Sequence, residues 1–186
     1  MHLVALAEGG LVLAALALGA WTGVAPFAAV GLTWGGLGWG IAATVPLLLG
    51  LGWCLQTPLP PVVRLVGVAR TRIAPLFAGS TLLDLALVSA LAGLGEELLF
   101  RGVIQTALGV HLPHGVAVAL TAALFGLAHC ITPTYAVLAT LVGAYLGWTF
   151  LASGNLLTPI VAHALYDLVA LALLVRVKPE PLSSVL

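Results

Sequence analysis

Ser89–Gly109, SALAGLGEELLFRGVIQTALG, decides how the chain is read. It is apolar on both flanks and long enough for a membrane helix, yet Glu96, Glu97 and Arg101 stand within six positions of one another at its centre. The chain has only six acidic and six basic residues in 186, so a quarter of its charge is placed where lipid would reject it. Hydrophobic residues make up 62% and charged residues 6%, against roughly 25% charged in soluble domains. That composition describes an integral membrane protein. Lipid offers no partner to backbone N–H and C=O groups, so spans are helices or closed barrels. The apolar runs are continuous rather than alternating, which excludes a barrel and predicts an all-α, polytopic transmembrane bundle.

On either side of this stretch, windows of about twenty apolar residues predict six spans in all. They are Leu3–Trp21, Leu37–Leu55, Leu82–Leu108, Gly115–Ile131, Thr134–Ala152 and Leu156–Val175. Thr57-Pro58-Leu59-Pro60-Pro61 closes the second, Pro113 precedes the fourth, and Pro133 opens the fifth. Ser153-Gly154-Asn155 separates the last two, with Asn155 a natural N-cap. Between Pro61 and Gly79, Arg64, Arg70 and Arg72 alternate with apolar residues, which predicts an amphipathic segment at the interface. The N-terminal stretch lacks a basic leader and carries Glu8, so it is expected to be a retained first helix rather than a signal peptide. The expected division is 1–79 for two helices and the amphipathic segment, 80–176 for a core of four helices, and 177–186 for a short tail.

Six spans place both termini and the amphipathic segment on one side. That side receives Arg64, Arg70, Arg72, Arg176 and Lys178, every basic residue but Arg101, and is expected to be cytoplasmic. There is no basic patch, which argues against nucleic acid as a partner. Cys54 and Cys130 form no recognisable framework or metal pair.

A charge at mid-bilayer costs on the order of 2.5–3.5 kcal/mol on insertion scales, so polar residues retained in spans usually face the bundle interior and serve a purpose there. Besides the opening cluster these are His129, His163 with Asp167, and Asp84 near the start of the third span. Glu97 and Arg101 are four apart in the favourable acid-first order and read as a structural ion pair. Glu96 is rotated about 100° from Glu97 and meets Phe100 four positions on, so it needs a partner from another helix. His163 and Asp167 are again four apart and share a face. Two histidines and several carboxylates on three spans point to a shared site, either acid–base or metal-binding, since these donors also suit zinc. Other membrane chemistries fit poorly. HExxH is absent, Ser153 is not in GxSG, and Tyr166-Asp167 has no GxGD partner because Gly93-Leu94-Gly95 leads to Glu96.

Three motifs in order, EExxxR at Glu96–Arg101, FxxxH at Phe125–His129 and HxxxD at His163–Asp167, resemble the CAAX-protease and bacteriocin-processing (CPBP, or Abi) intramembrane proteins, relatives of the type II CAAX prenyl endopeptidase. The resemblance covers about 80–175. It implies a membrane endopeptidase in a bacterial-type inner membrane, acting on a peptide or membrane-protein substrate. It further implies that Glu96 and His129 activate a water, that His163 and Asp167 stabilise the oxyanion, and that Glu97, Arg101 and Phe125 support them. No cofactor is expected, although the donor set leaves zinc open. One departure stands out. Eukaryotic members carry Asn where this chain has Asp167, and an ionised Asp cannot donate to an oxyanion, so Asp167 is alternatively an orienting partner of His163. The spans also raise a problem. His129 falls near the cytoplasmic end of its span while Glu96 and His163 fall towards the other face. Convergence needs tilt, a kink at Gly93 or Gly95, or shifted span ends. The alternative function is a scaffold or partner subunit for another membrane protein that keeps the polar cluster as a structural network.

Overall fold

The computed structural model describes residues 2–176, and within them every regular element is helical. The expected tail over 177–186, with Lys178, lies outside the described residues. In chain order the helices are α1 (His2–Thr22), α2 (Trp34–Gln56), α3 (Pro60–Val68), α4 (Leu82–Glu97), α5 (Thr106–His111), α6 (His114–Ala128), α7 (Pro133–Ser153) and α8 (Leu157–Arg176). A π-helical turn, Ala69–Ile73, and a 3-10 turn, Ala74–Phe77, follow α3, while a π-helical segment, Leu98–Gln105, joins α4 to α5 without a break. The helix boundaries follow the sequence closely because the local chemistry is explicit. Thr33 and Thr132 cap α2 and α7 by accepting from Gly36 and Tyr135 N–H. Thr81 opens α4 with a capping box: its backbone N–H donates to the Asp84 carboxylate at 2.8 Å, and Asp84 N–H donates back to its hydroxyl at 3.2 Å. Asp84 is thus explained by helix initiation. Asn155 Oδ1 accepts from Leu157 N–H and from Gly31 N–H, each at 3.0 Å, so the expected N-cap also ties α8 to the α1–α2 loop.

The span count differs from the expectation of six. Three helices, α2, α7 and α8, are long and apolar enough to cross a membrane. The amphipathic segment Pro60–Phe77 and the long helix Leu82–His111 meet at 110° and together supply up to one more. The apolar part of α1, Leu6–Thr22, and α6 are shorter. The physical reason is helix length, since the apolar part of α1 and the returning α6 are too short to cross alone. The third apolar run does not end at Leu108 but continues through the π segment to His111, roughly 45 Å at 1.5 Å per residue. The chain that returns from it as α6 is only 15 residues, about 22 Å.

The bundle closes through small residues at its tightest helix crossings, as expected where lipid removes the hydrophobic drive for helix association. A Cβ on Gly93 would sit 2.9 Å from both Ala164 N and the Ile160 carbonyl, so α4 and α8 approach backbone to backbone just before Glu96. One apolar cluster, with Ala15, Leu98, Val103 and Leu156 at its centre, packs α1 against the π segment. Another joins α2, α7 and α8 through Ala43, Leu47, Leu146 and Ala162. Large side chains such as Leu49, Trp39, Leu141 and Trp148 point outward, where a bilayer would cover them.

Candidate active site

The geometry of the long helix resolves the convergence problem. Glu96 lies at its middle, about 22 Å from His111, and α6 runs back antiparallel for the same distance before His129 caps it. The two residues therefore meet at one depth without a glycine kink. His129 Nε2 stands 3.5 Å from Glu96 Oε2, and His163 Nε2, from α8, stands 4.0 Å from the same oxygen. Helices α4, α6 and α8 thus aim one carboxylate and two imidazoles at a common point. Glu96 is 8% exposed, and its Oε2 has no hydrogen-bond partner.

Each histidine is held by its other nitrogen. His129 Nδ1 lies 2.8 Å from the Phe125 carbonyl, which can only accept, so Nδ1 carries a proton and Nε2 is turned to Glu96. The Phe125 ring stacks on His129 at 4.3 Å between centroids. His163 Nδ1 donates to Glu97 Oε1 at 2.8 Å. The same Glu97 oxygen accepts from Arg101 Nη1 at 2.8 Å, and both members of that pair are fully buried. Arg101 Nη2 donates to the Gly143 carbonyl at 2.8 Å, and its guanidinium lies 4.7 Å from the Phe125 ring centre. The expected ion pair is therefore present, and its acid has a second role, because Glu97 also orients His163. Nothing in the spacing of Glu97 could reveal that, because its second partner lies 66 residues away.

Asp167 Oδ2 sits 3.5 Å from His163 Nε2, one turn along α8. All seven residues singled out from the sequence, Glu96, Glu97, Arg101, Phe125, His129, His163 and Asp167, belong to one connected cluster. Sequence reasoning missed Glu8. It lines, with Glu96 and His129, a cavity of about 410 Å³ beside the cluster. The signal was present, since Glu8 is the sole charge in the first helix. Tyr135 at the start of α7 was missed as well; it sets its ring edge-on to His129 at 6.0 Å. Among the described residues no three His, Cys, Asp or Glu side chains are placed to hold one metal ion.

A helical membrane protein that gathers carboxylates and imidazoles in its interior, with an open cavity beside them, has the makings of a membrane-embedded hydrolase. Residues 78–169, from the turn before α4 to late α8, match the family model described as type II CAAX prenyl endopeptidase Rce1-like. The segment belongs to this CAAX-protease family, a family of proteases. No curated protein and no solved structure matches it. The matched segment contains the seven residues of the cluster and excludes α1–α3.

Proposed function

We propose that this protein is an intramembrane endopeptidase in which Glu96 is the general base for hydrolysis of a peptide bond. The observation that carries the reading is the meeting of Glu96 Oε2 with the Nε2 atoms of His129 and His163, from three helices, beside an open cavity. A water held between Glu96 and His129 gives its proton to Glu96 as its oxygen attacks the carbonyl carbon. The same proton then passes to the leaving nitrogen as the C–N bond breaks. His163 has a carboxylate at each ring nitrogen, Glu97 at 2.8 Å and Asp167 at 3.5 Å. That environment suits an imidazole holding both ring protons, with Nε2–H donating to the oxyanion. Asp167 is then an orienting and charge-balancing partner of His163 rather than an oxyanion donor. Glu97, Arg101 and Phe125 hold the two imidazoles in register.

The substrate is a peptide or a membrane protein able to reach the bundle interior. A cytoplasmic α3 side in a bacterial-type inner membrane belongs to this reading, and the exposed Arg64, Arg70 and Arg72 support the orientation by the positive-inside rule. The test is a search for cleavage. The full chain in lipid nanodiscs is incubated with a complex peptide pool, and new termini are mapped by mass spectrometry. Wild type creates termini that Glu96→Gln does not; identical profiles from the two proteins would refute the proposal.

A further inference from the structure

Helix α1 lies outside the segment matched by the family model, yet it forms one wall of the cavity at the cluster. The reason is a single residue in the opening motif. A Cβ on Gly95 would stand 2.6 Å from the Glu8 carbonyl oxygen and 3.1 Å from Leu11 Cβ, so α1 crosses α4 directly against Gly95. Glycine there lets the Glu8 backbone pack one residue away from Glu96. The Glu8 side chain enters the cavity, with Glu96, His129, Leu11, Leu99 and Phe100 around it. Its Oε2 is buried without a hydrogen-bond partner, as is Glu96 Oε2. Glu8 also lies within electrostatic range of Glu96, Asp167, His163 and His129. A structural carboxylate would be expected to have found a donor. This one faces the space where a substrate would lie, and two carboxylates with one imidazole on an otherwise apolar wall repel anions and favour an N–H donor or a cation.

We propose that Glu8 is a substrate-facing residue of the active site, accepting the N–H of the scissile amide and stabilising the positive charge that develops on the departing amine. The inference rests on the peptidase reading and deepens it. In the balanced step Glu96 takes a proton from water while the water oxygen bonds to the carbonyl carbon. Glu96 returns that proton to nitrogen as the C–N bond breaks, and the products are a carboxylic acid and an amine that share out the remaining proton. Glu8 exchanges no proton in this step. Its contribution grows as nitrogen becomes cationic, so it acts on kcat more than on KM.

An ester analogue isolates this role, because an alcohol leaving group has no N–H and acquires no such charge. On a cleaved peptide, Glu8→Gln is expected to lower kcat by about 10- to 100-fold with KM within about threefold, in line with the loss of one preorganised transition-state contact. On the depsipeptide of the same sequence the variant and wild type should agree within about threefold. Equal losses on amide and ester, or no loss on the amide, would overturn the assignment. A second measurement does not depend on cleavage. In the full chain in nanodiscs, dicyclohexylcarbodiimide should modify Glu8, and benzylamine, as a mimic of the product amine, should protect it. Unmodified Glu8, or modification indifferent to benzylamine, overturns the inference even if the protein cleaves peptides. Protected modification with no cleavage of any peptide refutes the peptidase reading instead and leaves an amine-recognising cavity.

Discussion

Glu96 and Glu97 are neighbours in sequence and opposites in energetics, and their Gln variants should separate them. Glu97 Oε1 receives two hydrogen bonds of 2.8 Å, from Arg101 and His163, in a fully buried site. Glu97→Gln keeps the shape and an accepting oxygen but strands the Arg101 cation. Removing one partner of a buried ion pair costs about 3–5 kcal/mol. The Gly143 carbonyl and the Phe125 face still support the guanidinium and recover about 1 kcal/mol of this. A net loss of about 2–4 kcal/mol, roughly 30- to 700-fold in the folding equilibrium, is expected for Glu97→Gln. Glu96 Oε2 lies 3.5 and 4.0 Å from the Nε2 atoms of His129 and His163 without a short hydrogen bond, so Glu96→Gln gives up only long contacts and should shift stability by less than about 1 kcal/mol. Reversible unfolding in mixed micelles, titrated with sodium dodecyl sulfate and followed by far-UV circular dichroism, measures both. Adding Arg101→Met to Glu97→Gln should recover at least half of the loss, since the stranded cation is gone. Equal destabilisation by the two Gln variants, or no loss in Glu97→Gln, would refute the division of roles.

Three further outcomes follow from the geometry. Asp167→Asn, which keeps an accepting oxygen 3.5 Å from His163 Nε2, should lower kcat less than tenfold, whereas Asp167→Ala should lower it by about 10- to 100-fold, read in the same peptide assay. Gly93→Val would force α4 and α8 apart at Ala164 and Ile160 and should cost about 1–3 kcal/mol in the micelle titration. Because no three donors among the described residues are placed to share a metal ion, incubation with 1,10-phenanthroline should leave the cleavage rate unchanged, and elemental analysis of active protein should find zinc well below one per chain.

Much of this was legible because membrane helices state their boundaries in their own residues. Proline, glycine and threonine marked the ends of α2, α6 and α7, and the six apolar runs correspond to the observed helices to within a few residues. What the runs could not give was length in the membrane. Apolar residues continue through Leu98–Gln105, so nothing in hydropathy says that this helix goes on to His111, nor that α6 is consequently short. Counting residues in both directions from the α5–α6 turn brings His129 level with Glu96, with no need for a kink at Gly93 or Gly95. Those glycines instead let α8 and α1 pack closely against α4. Spacing within a helix revealed the Glu97–Arg101 pair and singled out Glu96 as the acid without a local partner. It was silent on contacts between helices, and so missed the bond from His163 to Glu97 and the placing of Glu8 beside the cluster.

Activation of the attacking water by Glu96 is the step on which the proposed chemistry stands. It is tested by single-turnover cleavage of a peptide substrate by purified wild type, Glu96→Asp and Glu96→Gln, each shown to be as stably folded as the others. Glu96→Gln is expected to lose about 10²- to 10⁴-fold in rate, while Glu96→Asp, which keeps the base but withdraws it, should retain part of the activity. A Glu96→Gln rate within tenfold of wild type would contradict a general-base role for this residue.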